Sequence, residues 1–117
     1  PNCAEAYSNL GNILKDLGKL QEAELSHRKA IKLRPDFANA HSNLGTILSD
    51  LGKLEEAEFY TRKAIEIKPD LADAHYILGN ILKDLGKTIQ SNQCYEKALK
   101  LKPWSISTAW RINKSAL

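Results

Sequence analysis

The stretch Leu10-Gly11-Asn12-Ile13-Leu14-Lys15-Asp16-Leu17-Gly18-Lys19 returns as Leu44-Gly45-Thr46-Ile47-Leu48-Ser49-Asp50-Leu51-Gly52-Lys53. It returns again as Leu78-Gly79-Asn80-Ile81-Leu82-Lys83-Asp84-Leu85-Gly86-Lys87, at the same interval of 34 residues. Pro35, Pro69 and Pro103 keep that interval, as do Ala30, Ala64 and Ala98. A unit of this length cannot bury its apolar face alone, and about three must stack to share a continuous core. In such an array each unit touches its neighbours only. The product is a surface, not an enclosed active site.

Within each unit the apolar residues recur at helical spacing. Ala6, Leu10, Ile13, Leu14 and Leu17 are followed in the next units by Ala40, Leu44, Ile47, Leu48 and Leu51, then Ala74, Leu78, Ile81, Leu82 and Leu85. Each run stops at a glycine (Gly18, Gly52, Gly86), the residue that most easily takes the left-handed conformation ending a helix. A second helical run follows, carried in the first unit by Leu20, Ala23, His27, Ala30, Ile31 and Leu33. It halts before a proline, which lacks the next hydrogen-bond donor. Asp36 and Asp70, just after their prolines, are expected to cap the next helix. The pattern predicts helix, tight turn, helix, turn, with helices of about 14 residues, or roughly 21 Å.

Gly11, Gly45 and Gly79 fall inside the first helix of each unit, where glycine costs about 1 kcal/mol against alanine. Three glycines in one column imply a close helix–helix approach. Ala23, Ala57 and Ser91, with Ala30, Ala64 and Ala98, are the small residues expected opposite. The period, the Leu-Gly pair, the small-residue columns and the closing proline resemble the tetratricopeptide repeat. The resemblance implies an all-α, right-handed α-solenoid of antiparallel helix pairs, about seven helices in one domain. Its units are framed at 1–34, 35–68 and 69–102, with a terminal helix at 103–117. Pro1 stands where the later prolines open units, so the chain reads as a piece of a longer protein.

Departures from the family pattern are local. Tyr7, His41 and His75 stand where the family often has tryptophan. His27 and Thr61 replace a usual aromatic, retained at Tyr95, and His27 is expected to be partly buried. Thr88-Ile89-Gln90-Ser91-Asn92-Gln93 loses the Leu-x-x-Ala-Glu pattern of Leu20 to Glu24, which predicts a looser or slightly rotated second helix in unit three. In the last segment Ser105 is placed to cap a helix, with Trp104, Ile106 and Ile112 covering the apolar end of unit three; the alternative is that the two tryptophans form a hot-spot surface for another protein.

Composition narrows the function. The net charge of +3 is too small to signal nucleic acid without a clustered basic face. No apolar run approaches the ~18–20 residues that span a bilayer. Cys3 and Cys94 lie at opposite ends of an extended array, too far apart for a disulfide. Two free thiols point to a reducing, cytoplasmic compartment. His41 and His75, one repeat apart, are about a helix-packing distance of roughly 10 Å from each other, too far to share a metal. No Gly-rich phosphate loop or paired-Cys motif is present, so no cofactor and no enzymatic activity are expected. Arg28, Lys29, Lys32, Arg34, Arg62, Lys63 and Lys68 crowd the second helices. Glu22, Glu24, Glu55, Glu56, Glu58 and Glu66 offer them i,i+4 partners, so this face reads as solvated and salt-bridged.

The resemblance implies that first helices line a concave, peptide-binding groove. Its residues would be Glu5, Ser8, Asn9, Asn12 and Lys15, then Asn39, Ser42, Asn43, Thr46 and Ser49, then Asp73, Tyr76, Ile77, Asn80 and Lys83. The row is polar and mostly uncharged. Asparagine both donates and accepts, and so pairs with peptide backbone without reading side chains. The carboxylate clamp of chaperone-tail binders is not matched: Asn12 and Asn43 resemble its asparagines, but Ser8, Asp73 and Ile77 occupy its cation positions. The asparagine ladder of the O-linked N-acetylglucosamine transferase superhelix is matched by Asn9 and Asn43 and broken by Ile77. The expected function is a scaffold that binds a protein or extended peptide, with no nucleic acid and no membrane. The alternatives are a spacer that self-associates through its open ends, or a substrate-presenting segment of a larger enzyme such as a glycosyltransferase.

Overall fold

The computed structural model describes residues 3–103. Six α-helices and no strand make up the described residues: α1 (Cys3–Asp16), α2 (Leu20–Leu33), α3 (Ala38–Asp50), α4 (Leu54–Ile67), α5 (Ala72–Asp84) and α6 (Thr88–Leu101). The expected seventh helix, with Ser105 and both tryptophans, lies outside the described residues. The helices pair as α1–α2, α3–α4 and α5–α6, and the hairpins join through α2 on α3 and α4 on α5. The body measures 44 × 25 × 22 Å with a radius of gyration of 14.0 Å. A compact domain of this size would have about 13 Å, so the stack is elongated.

The turn inside each hairpin follows from its glycine. Gly18, Gly52 and Gly86 have φ of 79°, 81° and 83°, where a side chain would clash with its own backbone. Gly18 N–H donates to Lys15 O and Lys19 N–H to Leu14 O, at 2.9 and 2.8 Å. This pair of bonds satisfies carbonyls orphaned at the helix end. The same two bonds recur at Gly52–Lys53 and Gly86–Lys87.

The turn between hairpins differs from expectation. Asp36 and Asp70 do not cap; Phe37 and Leu71 occupy the cap positions, with no side-chain hydrogen bond. Phe37 is drawn in because it is apolar, packing with Ala4, Ala30 and Ala40, and this leaves the neighbouring aspartate outside. The histidine column supplies the missing tie. The ring Nε2 of His41 donates to Pro35 O, and that of His75 to Pro69 O, each at 2.8 Å.

The middle of the stack holds the best-enclosed residues. Leu44, Leu48, Ala57 and Ile81 form one cluster, flanked by Ile31, Tyr60, Ile77 and Leu85. Leu44 and Ile47 are 0% exposed, whereas their column mates Leu10 and Ile13 are 43% and 56% exposed, and Leu17 is 65% exposed. The sequence pattern is the same, but α1 has a neighbouring hairpin on one side only. Periodicity marks a face able to be buried, and the neighbour decides whether it is.

The glycine column meets the expected close approach. A side chain at Gly11 would run into the His27 ring, one at Gly45 into the Thr61 hydroxyl, and one at Gly79 into the Tyr95 ring. His27 is wholly buried, more than the partial burial expected. The second helix of unit three is not rotated. It runs 14 residues and buries Ser91, Tyr95 and Ala98, the column that α4 fills with Ala57, Thr61 and Ala64. Serine is accepted there because its hydroxyl donates to Gly79 O at 2.7 Å, which removes the cost of burying it unpaired.

Candidate functional site

The first helices α1, α3 and α5 share one face, and most of the polar residues singled out in the sequence stand on it. Thr46, Ser49, Tyr76, Ile77, Asn80 and Lys83 come together around a hollow of about 400 Å³ between α3 and α5. Asn9, Asn12 and Asn39 are exposed and Asn43 is half-buried. The side-chain amides of Asn9, Asn12 and Asn43 have no protein partner among the described residues, so their donors and acceptors are unspent. Lys15 is half-buried on the same helix as Asn12.

Other members of the row are committed elsewhere. Ser8 and Ser42 are buried, since they share the strip of α1 and α3 that carries Gly11 and Gly45 towards the partner helix, and serine is small enough to be enclosed there. Tyr76, in the same column, is too long for that; it is half-buried and meets the Tyr95 ring at 5.7 Å. Asn80 Oδ1 accepts from Tyr95 Oη at 2.6 Å, which fixes its amide beside the hollow. Glu5 pairs with Arg34 and Asp73 with Lys102, each at 3.4 Å. Ile77 rests against the central cluster, so the apolar lining of the hollow continues the core.

The opposite face, built by α2, α4 and α6, is charged and largely paired. Arg28 donates to Glu24 at 2.9 Å, to Glu56 at 2.7 Å and to the Tyr60 hydroxyl at 3.0 Å. Burial works against the Arg28 charge, but these three bonds outweigh it and hold its pKa above the ordinary value. Glu24 shows the mirror effect: burial pushes its carboxyl up, while Arg28 and Lys53 together bring it below the usual value. The expected i,i+4 pairs are present in Arg28–Glu24 and Arg62–Glu58. Unforeseen were the bridges between hairpins, Lys53–Glu24 at 3.3 Å and Lys87–Glu58 at 3.8 Å. Their signal was available, since both join a Gly-Lys turn to a glutamate 29 residues earlier.

Cys3 is exposed, Cys94 is half-buried, and both are free thiols. Burial pushes the Cys94 thiol up, Arg62 opposes this and Glu58 adds to it. Among the described residues no three His, Cys, Asp or Glu side chains gather where a metal would sit. None of the described helices is long and apolar enough to cross a membrane.

Stacked antiparallel hairpins sharing one polar helix face define a helical-repeat binding scaffold. The chain belongs to the tetratricopeptide repeat family, whose sequence models match residues 4–37, 38–71 and 72–103. These frames begin three residues later than the proline-to-proline reading and enclose the same helix pairs. Among solved structures, the crystal structure of MamA superposes with a TM-score of 0.86 at 28% identity, over 96% of this chain and 66% of that one. The first repeat domain of Spaghetti (RPAP3), bound to the HSP90 peptide SRMEEVD, gives a TM-score of 0.93 at 22% identity, over 97% and 92%. The solution structure of the first such domain of human RPAP3 gives 0.93 at 23% identity, over 97% and 90%. No curated protein sequence matches significantly.

Proposed function

We propose that the α1–α3–α5 face holds an extended segment of a partner protein, and that this chain is a binding module and not a catalyst. The observation that carries this reading is the line of unspent amides on Asn9, Asn12 and Asn43, running into the hollow walled by Tyr76 and Ile77. The amides take the peptide backbone, and the hollow takes one apolar side chain. An acidic peptide such as the HSP90 peptide SRMEEVD bound by the Spaghetti domain is not the preferred ligand here. Asp73 stands where that chemistry requires a cation, and Ile77 gives none. The test is peptide affinity, measured by fluorescence anisotropy on a ligand selected from a random peptide library. Asn12→Ala with Asn43→Ala removes at least two hydrogen bonds and is expected to weaken binding by about tenfold or more, with helicity unchanged. Equal affinity in the double variant overturns the groove.

A second reading, self-association through an open end, is favoured by one observation: Leu10 and Ile13 on α1 and Leu17 just after it are exposed apolar residues. Sedimentation across a wide concentration range tests it. A mass that grows with concentration and reverts to monomer in Leu10→Lys supports it, and a monomer throughout overturns it.

A further inference from the structure

The repeat provides its own comparison. In the groove between α2 and α4, Tyr60 lies in a made-to-measure site. Its ring stacks on His41 at 6.0 Å, the Arg28 guanidinium stands over it at 5.3 Å, and its hydroxyl accepts from Arg28 Nη1 at 3.0 Å. With that ring in place, a hollow of only about 180 Å³ is left beside it.

One repeat further on, between α4 and α6, the walls are kept and the ring is gone. Arg62, Ile65, His75 and Leu78 replace Arg28, Ile31, His41 and Leu44, but Cys94 stands in the place of Tyr60. Gln90 and Gln93 stand where the second hairpin has Glu56 and Phe59. The groove here is open to solvent and has a volume of about 790 Å³, inside the range of clefts that hold small ligands. His75 keeps the bond to Pro69 O that fixes its ring, and no aromatic side chain among the described residues lies on it. Arg62 Nε donates to Glu58 at 2.8 Å, but Gln90 and Cys94 replace the partners that engage Nη2 and Nη1 of Arg28, so among the described residues both terminal nitrogens are unspent. The site therefore offers a flat ring face, an aliphatic wall and a cation with free donors. That set is complementary to a phenol, whose oxygen accepts and whose ring attracts a cation.

We propose that the α4–α6 groove receives a tyrosine side chain of a partner polypeptide, seated between His75 and Arg62 as Tyr60 is seated between His41 and Arg28. The site lies on the face opposite the asparagine row, so it stands or fails independently of the peptide groove.

N-acetyltyrosinamide, titrated into the isotope-labelled full chain, is expected to move the resonances of His75, Leu78 and Cys94. N-acetylphenylalaninamide is expected to bind about fivefold more weakly for want of one hydrogen bond, and N-acetylleucinamide more weakly still. Arg62→Met should erase the tyrosine-over-phenylalanine preference. Cys94→Tyr should place a ring between His75 and Arg62, abolish the shifts and raise the melting temperature, while Asn12→Ala with Asn43→Ala should leave them intact. Leucine binding as well as tyrosine, or undiminished binding to Cys94→Tyr, overturns the proposal. So does movement of these resonances with protein concentration alone, which gives the groove to a second copy. Cross-peaks from Cys94 to an indole of Trp104 or Trp110 give it to this chain itself and overturn it equally.

Discussion

The ring of Tyr95 occupies the space that a side chain at Gly79 would need: a Cβ there would stand 2.6 Å from Cε1. Tyr95 has little room to yield, because its hydroxyl is bonded to Asn80 across the hairpin and its ring is 2% exposed. Gly79→Ala is therefore expected to destabilise the fold by about 1–3 kcal/mol through overpacking, despite alanine's better helix propensity. Gly52→Ala meets no atom within 4 Å; its cost is conformational, about 1–2 kcal/mol, from holding alanine at positive φ. Urea denaturation measures both. A Gly79→Ala variant as stable as the parent would show that α5 and α6 can separate without loss.

The same pair of helices links scaffold to site. Tyr95→Phe deletes the bond to Asn80 Oδ1 and leaves that acceptor to water. The expected loss is about 1 kcal/mol of stability. The Asn80 side-chain amide signals should broaden, and peptide affinity should fall by a fewfold as that side chain loses its fixed direction. Calorimetry and the Asn80 NH₂ resonances check the two parts separately.

The helices and turns were legible because each is decided locally and then repeated. Gly18, Gly52 and Gly86 announce their turns by residue type, and Gly11, Gly45 and Gly79 announce close approach by recurring where glycine is costly. Asp36 and Asp70 misled because a capping residue was read from type alone, whereas Phe37 wins the cap position by burying its ring. Leu10 and Leu44 are indistinguishable in sequence and differ only in whether another hairpin lies against them. The asparagine row was legible as unspent polarity on a helix face, but the enclosure of Ser8 and Ser42 depended on their sharing the glycine strip. The α4–α6 groove left a signal in the break from Tyr60 to Cys94. Reading it required knowing that Arg62 and His75, 13 residues apart in sequence, stand on two sides of that one position.

Acid should loosen the first hairpin. His27 is fully buried against Gly11, with no partner for either ring nitrogen among the described residues. Burial first, and Lys15 second, push its pKa down from an ordinary 6.5 to about 4. The folded state therefore keeps the ring neutral where the unfolded chain takes up a proton. Stability is complete above about pH 6.5 and declines as the pH falls towards 4, by on the order of 3 kcal/mol at ~1.4 kcal/mol per pH unit. Glu24 adds a second loss at lower pH, as its lowered carboxyl finally protonates and releases Arg28 and Lys53. His27→Phe should flatten the upper part of this decline and leave the lower part. Tyr95 over Gly79 shows that this column accepts a six-membered ring. Thermal melts at a series of pH values check the outcome, and a parental slope between pH 6.5 and 4 in the variant would assign the loss to other groups.

Position in the stack, and not residue type, should set the cost of cutting the leucine column. Leu44 is fully enclosed, in a cluster drawn from α3, α4 and α5. Leu44→Ala removes its transfer energy and leaves a cavity, so a loss of about 2–5 kcal/mol is expected. Leu10 carries the same neighbours in sequence, Asn9 and Gly11, but 43% of its surface is already in water. Part of its transfer energy is never realised, and the space left behind opens to solvent, so Leu10→Ala should cost about 1 kcal/mol or less. The two variants, unfolded in urea at a concentration where the chain is monomeric, give the comparison directly. If self-association covers the α1 face, the gap should narrow as protein concentration rises, because Leu10 then acquires the neighbour that Leu44 always has. A gap that is constant with concentration, together with a large one in the monomer, leaves Leu10 as open surface.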